Sequence, residues 1–194
     1  LGASTESSSR LLRSKGSGEK AVLECFPDAN IIRPSLIFGT EDTFFNRFAK
    51  LSSISPFIPV VGPETKFQPV YVDDVAKVIS LLVETGQKKK YLELGGDETY
   101  TFRELIKLLL AEINRKRLIL KIPFSIARVM AATNDFFRLI LGDVVPAFLT
   151  LAQVKSLEKD NLVGRNSEKF SDFGIVPKKL KIVLPTIVGR YNKG

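Results

Sequence analysis

Lys15 is the residue whose type and position most directly suggest chemistry in this chain. It follows Leu11 by four residues, in a segment that we expect to form a helix from about Ser8 to Glu24, so the two side chains share a helix face, one turn apart. A lysine ammonium one turn from a phenol lowers the pKa of that phenol, because it favours the phenolate. Such a phenolate can act as general base or acid during hydride transfer. Leu11 cannot ionise, so the pair predicts ligand binding by Lys15 without proton transfer.

Few other residues could carry acid–base or metal chemistry. The sequence contains no histidine, which excludes Ser-His-Asp and Cys-His catalysis and any histidine-ligated metal, and we predict no metal site. Tyr71 and Tyr100 stand in expected loops, but neither is followed by a lysine four residues later on a helix. Lys15 also has a plainer explanation, because most lysines are solvated on protein surfaces. A ligand contact and a solvated surface lysine both remain open for Lys15.

The composition indicates an ordinary globular protein with a basic surface. Of its 194 residues, 44% are hydrophobic and 26% charged, and 29 lysines and arginines against 21 acids give a formal net charge of +8. The basic clusters, 88–90 and 177–181, lack the interleaved aromatic residues of RNA-binding motifs. A solvated surface is therefore favoured, and a basic scaffold that binds RNA or an acidic protein is a third hypothesis. No apolar run reaches the roughly 18–20 residues of a membrane span, and Cys25, the single cysteine, fits a reducing compartment.

The apolar segments predict an α/β fold in which strand ends carry the candidate ligand contacts. Residues 29–37 are short, rich in isoleucine and flanked by proline and glycine, as expected for a buried parallel strand. Pro34 and Ser35 would then lie at the carboxyl edge of the sheet, where ligands of open α/β sheets bind. A plain transition from strand to loop is the alternative for these two residues. Residues 91–96 predict a second strand that ends in a turn.

Three later helices are also expected. We expect Asp73 to be the N-cap of a helix that runs to about Glu84. Asp74 would lie in the first turn, where a carboxylate interacts favourably with the positive end of the helix dipole. The buried stripe of that helix is expected to be Val75, Ile79 and Leu82. Residues 101–104 read as a capping box, and a strand at 118–122 precedes a helix that runs to about residue 141. The side chains that this last helix should bury are Ile126, Met130 and Phe137.

Three segments together resemble the extended short-chain dehydrogenases, the NAD-dependent epimerase/dehydratase family. They are residues 14–19, residues 31–39 and residues 67–76. Lys15 falls where that family has the lysine of Tyr-x-x-x-Lys, and Leu11 stands in place of the tyrosine. The resemblance covers nearly the whole chain and is closest to an atypical branch, the NAD(P)-binding accessory subunits of respiratory complex I and their bacterial relatives.

The resemblance implies the C-terminal part of a Rossmann-type α/β fold, with parallel strands and helices, plus a small, mostly helical substrate lobe. Residues 1–96 would complete the Rossmann-type domain, intermixed with lobe segments around 40–66, and residues 97–194 would form the substrate or interaction lobe. A dinucleotide site needs a Gly-rich turn at a helix N-terminus, and this sequence has none. We therefore expect the N-terminal dinucleotide-binding half to lie upstream, absent from this chain, and NADP or NAD to bind only to the full-length protein.

The same resemblance assigns roles to individual residues. Lys15 would hold a ribose hydroxyl of the cofactor, and Pro34 and Ser35 would lie beside the nicotinamide. Gln68 and Val70 face the substrate pocket in relatives, which makes them the expected substrate contacts here.

Leu11 decides which function the resemblance favours. Without the tyrosine we expect a catalytically degenerate protein, a nucleotide-binding structural or assembly subunit of a respiratory NADH dehydrogenase whose basic C-terminal part docks onto a larger assembly at a membrane. The alternative is an active epimerase, dehydratase or reductase that acts on a nucleotide sugar or small carbonyl. The expected location is the bacterial cytoplasm, near the inner face of the membrane, with the mitochondrial matrix as the alternative.

Overall fold

The computed structural model describes residues 1–141, 150–165 and 167–192, and the side chains of these except 135–141. The α-helices are α1 Arg10–Cys25, α2 Thr43–Ile54, α3 Val72–Thr85, α4 Phe102–Glu112, α5 Phe124–Leu141, α6 Leu151–Ser156 and α7 Leu180–Val188. The strands are β1 Ile31–Pro34, β2 Ile37–Phe38, β3 Phe57–Val61, β4 Lys66–Phe67, β5 Val70–Tyr71, β6 Tyr91–Leu94, β7 Tyr100–Thr101 and β8 Leu118–Ile122. Three strand pairs, β1–β6, β2–β5 and β3–β8, are parallel, and β4–β7 is antiparallel. The expected α/β fold of parallel strands and helices is confirmed.

The β1–β6 pair has one apolar and one polar face. Leu92 and Leu94 of β6 are buried with Val75, Val78 and Leu82 of α3, and Ile32 of β1 packs against this cluster. The alternate positions, Arg33, Tyr91 and Glu93, point to the other face, because side chains alternate along a strand. β1 is accordingly half-buried along its length, rather than buried on both faces as expected. The division at about residue 96 remains a prediction.

A larger core lies between α2, α4, α7 and the β3 strand. Phe45 is fully buried there, and Phe44 and Phe48 pack against the same cluster. The ring of Phe102, in the first turn of α4, contacts the rings of Phe44 and Phe48 with centroids 5.3 and 5.6 Å apart. The capping box at residues 101–104 is confirmed, since the Thr101 hydroxyl accepts from the backbone N–H of Glu104 and the Glu104 carboxylate accepts from the backbone N–H of Thr101.

Residues 29–37 do not form one strand, contrary to expectation. The chain pairs with β6 as far as Pro34, and the backbone N–H of Ser35 still donates to the Leu94 carbonyl at 2.8 Å. The carbonyl of Leu36 then accepts from Val70 N–H at 2.9 Å, so the hydrogen-bonding partner changes at this point. The chain bends at residues 35–36 because residues 31–35 hydrogen-bond to β6, whereas residue 36 hydrogen-bonds to β5.

The start and the buried face of α3 also differ from expectation. Tyr71 is the N-cap, and Asp73 and Asp74 lie within the first turn. Asp74 is fully buried, and its carboxylate accepts from the Lys77 ammonium at 3.0 Å and from the backbone N–H of Lys178 at 2.7 Å. Ile79 is exposed, and Val78 takes its place in the buried stripe with Val75 and Leu82.

The α5 helix does not bury the side chains that the sequence predicted. Ala127 and Ala131 are its buried residues, whereas Ile126 and Met130 are exposed. Phe137 lies outside the residues whose side chains the structure describes. Among the described residues, no helix combines the length and the hydropathy needed to cross a bilayer.

Candidate functional site

The carboxyl ends of β1 and β6 meet at one edge, where the sequence places its candidate cofactor residues. Pro34 pairs with Leu94 across this edge, and the Pro34 carbonyl accepts a hydrogen bond from the Leu1 amine at 3.1 Å. Lys15 lies on α1, the helix that Glu19 ties to Arg33 of β1. It is exposed and forms no hydrogen bond or ion pair with the described residues, so it is available to a ligand.

Gly16 sets how closely α1 approaches the start of the chain. It is the one buried residue of α1, and a Cβ atom there would lie 2.5 Å from the Ser4 carbonyl carbon and 2.7 Å from the Thr5 nitrogen. Gly18 has open space at the same position. Gly16 therefore allows α1 to pack directly against residues 4–5.

Ser35 is committed to internal hydrogen bonds. Its hydroxyl donates to the Asn161 carbonyl at 2.8 Å and accepts from the backbone N–H of Gln68 at 3.2 Å. The side chain is nearly buried. Ser35 thereby joins the end of β1 to two distant segments, and its role as a cofactor contact stays a prediction.

The two expected substrate contacts also have structural partners. The Gln68 carboxamide donates to the Gly96 carbonyl at 3.0 Å and accepts from the backbone N–H of Val163 at 3.1 Å. Only a glycine leaves enough room at position 96, because a Cβ atom there would lie 2.1 Å from the Pro69 carbonyl oxygen. Val70 is buried in the cluster under α3. The role of Gln68 and Val70 in substrate binding remains a prediction.

A C-terminal segment, residues 157–165, crosses this edge and was not foreseen from the sequence. We call it the crossing segment. Its Leu157 carbonyl accepts from the Thr65 hydroxyl at 2.5 Å, its Asn161 N–H donates to the Lys66 carbonyl at 2.8 Å, and its Gly164 N–H donates to the Glu93 carboxylate at 2.8 Å. These bonds join residues that are 71 to 95 positions apart. No local sequence pattern signals such contacts, because each partner is an ordinary polar group.

Asn161 carries an unused acceptor beside the edge. Its Oδ1 atom is buried and has no hydrogen-bond partner among the described residues, a condition shared only with Asp42 Oδ2 in that part of the chain. Buried polar atoms are normally hydrogen-bonded, and an exception calls for a partner such as a ligand. Lys15 and Asn161 thus each keep a polar atom without a partner among the described residues.

Tyr71 and Tyr100 stand in the short strands β5 and β7 rather than in loops as expected, and neither is activated for proton transfer. The pKa of Tyr100 is raised, by burial first and then by the hydrogen bond that its hydroxyl donates to Glu98. The pKa of Tyr71 is raised as well, mainly through a hydrogen bond to Asp73. A general base near neutrality needs a shift in the opposite direction. Neither phenol can take over the role of the tyrosine whose place Leu11 occupies.

The polar face of the β1–β6 pair carries a second group of charges. The Arg33 guanidinium donates to the Glu19 carboxylate of α1 through two nitrogens, at 3.0 and 2.5 Å, and stacks over the ring of Tyr91 at 4.6 Å. This pair raises the pKa of Arg33, chiefly through the hydrogen bonds to Glu19. It ties α1 to β1 and so helps to fix Lys15 relative to Pro34.

Comparison with known proteins gives relatives over the whole chain. No family model matches. The chain is 39% identical over 199 residues to NADH dehydrogenase [ubiquinone] 1 alpha subcomplex subunit 9, mitochondrial, of Arabidopsis thaliana, covering 100% of this chain and 50% of that protein. The protein of the same name from Dictyostelium discoideum is 33% identical over 183 residues, covering 92% of this chain and 47% of its own length. The chain thus spans about half the length of these relatives.

Solved structures show the same fold. The UDP-glucose 4-epimerase of Thermus thermophilus, solved as a complex with NAD, matches 92% of this chain and 51% of its own chain with a TM-score of 0.60 and 13% sequence identity. At that identity the match shows the fold alone. It agrees with the Rossmann-type architecture that the sequence implied.

One expectation is overturned by these matches. The bacterial cytoplasm was the expected location, but both relatives are named as mitochondrial proteins. The resemblance was to mitochondrial subunits and to bacterial relatives alike, so it did not separate the two locations.

The relatives and the fold lead to one assignment. Sequence similarity extends over the whole chain, and the structure has the α/β arrangement of nucleotide-sugar epimerases. The chain belongs to the family of NADH dehydrogenase [ubiquinone] 1 alpha subcomplex subunit 9, mitochondrial.

Proposed function

We propose that the complete protein binds a nicotinamide nucleotide, NADP or NAD, and serves as a catalytically degenerate structural or assembly subunit of a mitochondrial NADH dehydrogenase. The observation that carries this proposal is Leu11 one turn before a free Lys15. This arrangement keeps a ligand-binding cation and removes the group that would move a proton. The relatives' names support the respiratory assignment.

The edge formed by β1 and β6 would hold the nicotinamide end of the nucleotide. When bound, the nucleotide supplies a hydride acceptor or donor. Lys15 would donate hydrogen bonds to a ribose hydroxyl of the ligand. Pro34 and Ser35 would shape the edge.

The pyrophosphate has to be held by residues outside this chain. The sequence has no Gly-rich turn that leads from a strand into a helix, and backbone N–H groups of such a turn normally meet the phosphates. We therefore infer that NADP or NAD binds only to a protein that also contains a dinucleotide-binding half.

Calorimetry on the full-length protein tests the proposal. NADPH and NADH are titrated separately into the wild type and into Lys15→Ala. Loss of a charge-assisted hydrogen bond is expected to weaken the better-bound nucleotide by about tenfold or more. The matched control is Lys20→Ala, which removes an exposed lysine from the same helix, where Lys20 pairs only with Glu24 at 3.8 Å.

Each result has a clear meaning. Weaker binding by Lys15→Ala together with unchanged binding by Lys20→Ala supports the proposal. Equal affinities for all three proteins would show that Lys15 is a solvated surface residue that does not contact the nucleotide. Absence of binding by the wild type would contradict the proposal that the protein binds a nicotinamide nucleotide.

A further inference from the structure

The β3–β8 pair has an open outer face. Ile58 and Val60 of β3 point inward and are buried in the larger core. Phe57 and Leu118, which are register partners, point to the opposite face together with Leu120. These three side chains are between 39 and 58% exposed. Large apolar side chains at adjacent exposed positions form a patch, and such patches mark interaction sites.

The α5 helix continues this face with its larger side chains outward. Val61 and Ile122, register partners at the far end of the same outer face, are covered by Ala127 and Ala131 of α5. Ile126, Val129 and Met130 of α5 are each more than half exposed. A helix on a globular protein normally buries its largest apolar residues. This reversed arrangement indicates that the outer side of α5 meets an apolar environment.

The segment that enters β8 carries positive charge without a balancing acid. Residues 115–121 contain four cations and no carboxylate. The Arg117 guanidinium donates to the Ser52 and Lys116 carbonyls, and Arg115 donates to the Tyr191 carbonyl, so their charges stay uncompensated. Lys116 and Lys121 are exposed and form no ion pair with any described residue. The apolar patch is therefore bordered by net positive charge.

We propose that this apolar face (Phe57, Leu118, Leu120, Ile126 and Met130), with Lys116 and Lys121 at its border, lies on the surface of an anionic phospholipid bilayer. Apolar side chains that enter the boundary of headgroups and acyl chains, flanked by lysines near phosphates, are the features of interfacial binding. Each lysine near an anionic surface adds about fivefold to the partition constant. This binding is independent of the nucleotide.

A bilayer fits the patch better than an acidic protein does. The five apolar side chains offer no hydrogen-bonding group, whereas a specific protein interface carries about one hydrogen bond per 100–200 Å². A bilayer requires only apolar depth and charge. Contact at the surface also agrees with the absence of a spanning helix among the described residues.

Vesicle flotation of the full-length protein provides the test. Vesicles of equal parts phosphatidylcholine and phosphatidylglycerol are compared with vesicles of phosphatidylcholine alone. The wild type is expected to float with the anionic vesicles and less so at high salt. The double variant Leu118→Ser with Leu120→Ser should bind at least about tenfold more weakly. The control, Val176→Ser with Ile182→Ser, removes two exposed apolar side chains elsewhere and should float as the wild type does.

Two pairs of charge-reversal substitutions distinguish the effect of the lysines that border the apolar face from the effect of the protein's overall positive charge. Lys116→Glu with Lys121→Glu should abolish flotation, whereas Lys159→Glu with Lys181→Glu, exposed lysines elsewhere, should largely retain it. Circular dichroism and thermal melts confirm that each variant is folded. Failure of the wild type to float, or equal loss with both lysine pairs, would overturn the proposal. Retention on immobilised polyglutamate that depends on Leu118 and Leu120, without flotation, would assign the face to an acidic polypeptide and overturn it as well.

Discussion

At the scale of a residue, we expect Leu11 to decide whether this protein can transfer a proton. General acid–base help is typically worth 10²–10⁴-fold in rate, so the full-length protein with nucleotide bound is expected to turn over nucleotide sugars and simple carbonyls at no more than background. Leu11→Tyr places a phenol one turn from Lys15 and is expected to raise the rate above that of the wild type. Steady-state assays of nucleotide oxidation and reduction measure both values.

A tyrosine two residues after the lysine controls for the phenol itself. Residues two positions apart do not face each other on a helix, and Ser17 is exposed on α1. Ser17→Tyr should therefore leave the rate at the wild-type level. Robust turnover by the wild type, unchanged by substitution of Leu11, would instead favour the alternative of an active epimerase, dehydratase or reductase.

The candidate site could be predicted from the sequence only where a residue acts alone. Lys15 lies on a helix and Pro34 at a strand end, as predicted, because helix spacing and strand ends are local features; their role as cofactor contacts stays a prediction. The partners of Ser35 could not be foreseen, since its hydroxyl contacts Asn161, 126 positions away. Asn161 itself has no signal, because an asparagine in a polar loop is unremarkable until its Oδ1 is found buried without a partner.

At the scale of an element, α1 contains a matched pair of glycines with opposite surroundings. Gly16→Ala drives a methyl group into the backbone of Ser4 and Thr5, with a nearest separation of 2.5 Å, and should lower the free energy of unfolding by about 1–3 kcal/mol. Gly18→Ala meets nothing within 4 Å and should raise it by up to about 1 kcal/mol, because alanine favours a helix. Urea denaturation of the two variants gives both numbers.

The difference between the two variants carries the information. Equal effects would contradict the close approach of α1 to residues 4–5. A destabilising Gly18→Ala in the full-length protein would show that another segment packs on the open side of α1.

Helix positions were easier to predict than helix faces. The capping box of α4 and the extent of α5 follow from residues within the helix, and both agree with the structure. The buried faces of α3 and α5 depend on what packs against them. Val78 rather than Ile79 meets β6, and the alanines of α5 rather than Ile126 and Met130 meet the β3–β8 pair.

At the scale of the whole molecule, a bound nucleotide should act as a stabiliser. A ligand at about a hundred times its dissociation constant adds roughly 2.7 kcal/mol, which for a protein of about twice this chain's length corresponds to a rise in Tm of roughly 3 °C. Thermal melts of the full-length protein with NADPH or NADH measure this rise. It should shrink in Lys15→Ala at the same nucleotide concentration. A Tm that neither nucleotide changes would contradict the proposed structural role.

The crossing segment supplies hydrogen-bond partners that the carboxyl edge of β1 and β6 can acquire only late in synthesis. Ser35 and Gln68 emerge from the ribosome long before Asn161 and Val163, their partners across 126 and 95 positions. Contacts of such high sequence separation form late, because the loop-closure entropy precedes any gain. A nascent chain therefore lacks these two hydrogen bonds until Asn161 and Val163 have been made. A chain truncated before Asn161 would leave the Ser35 hydroxyl and the Gln68 carboxamide without these partners.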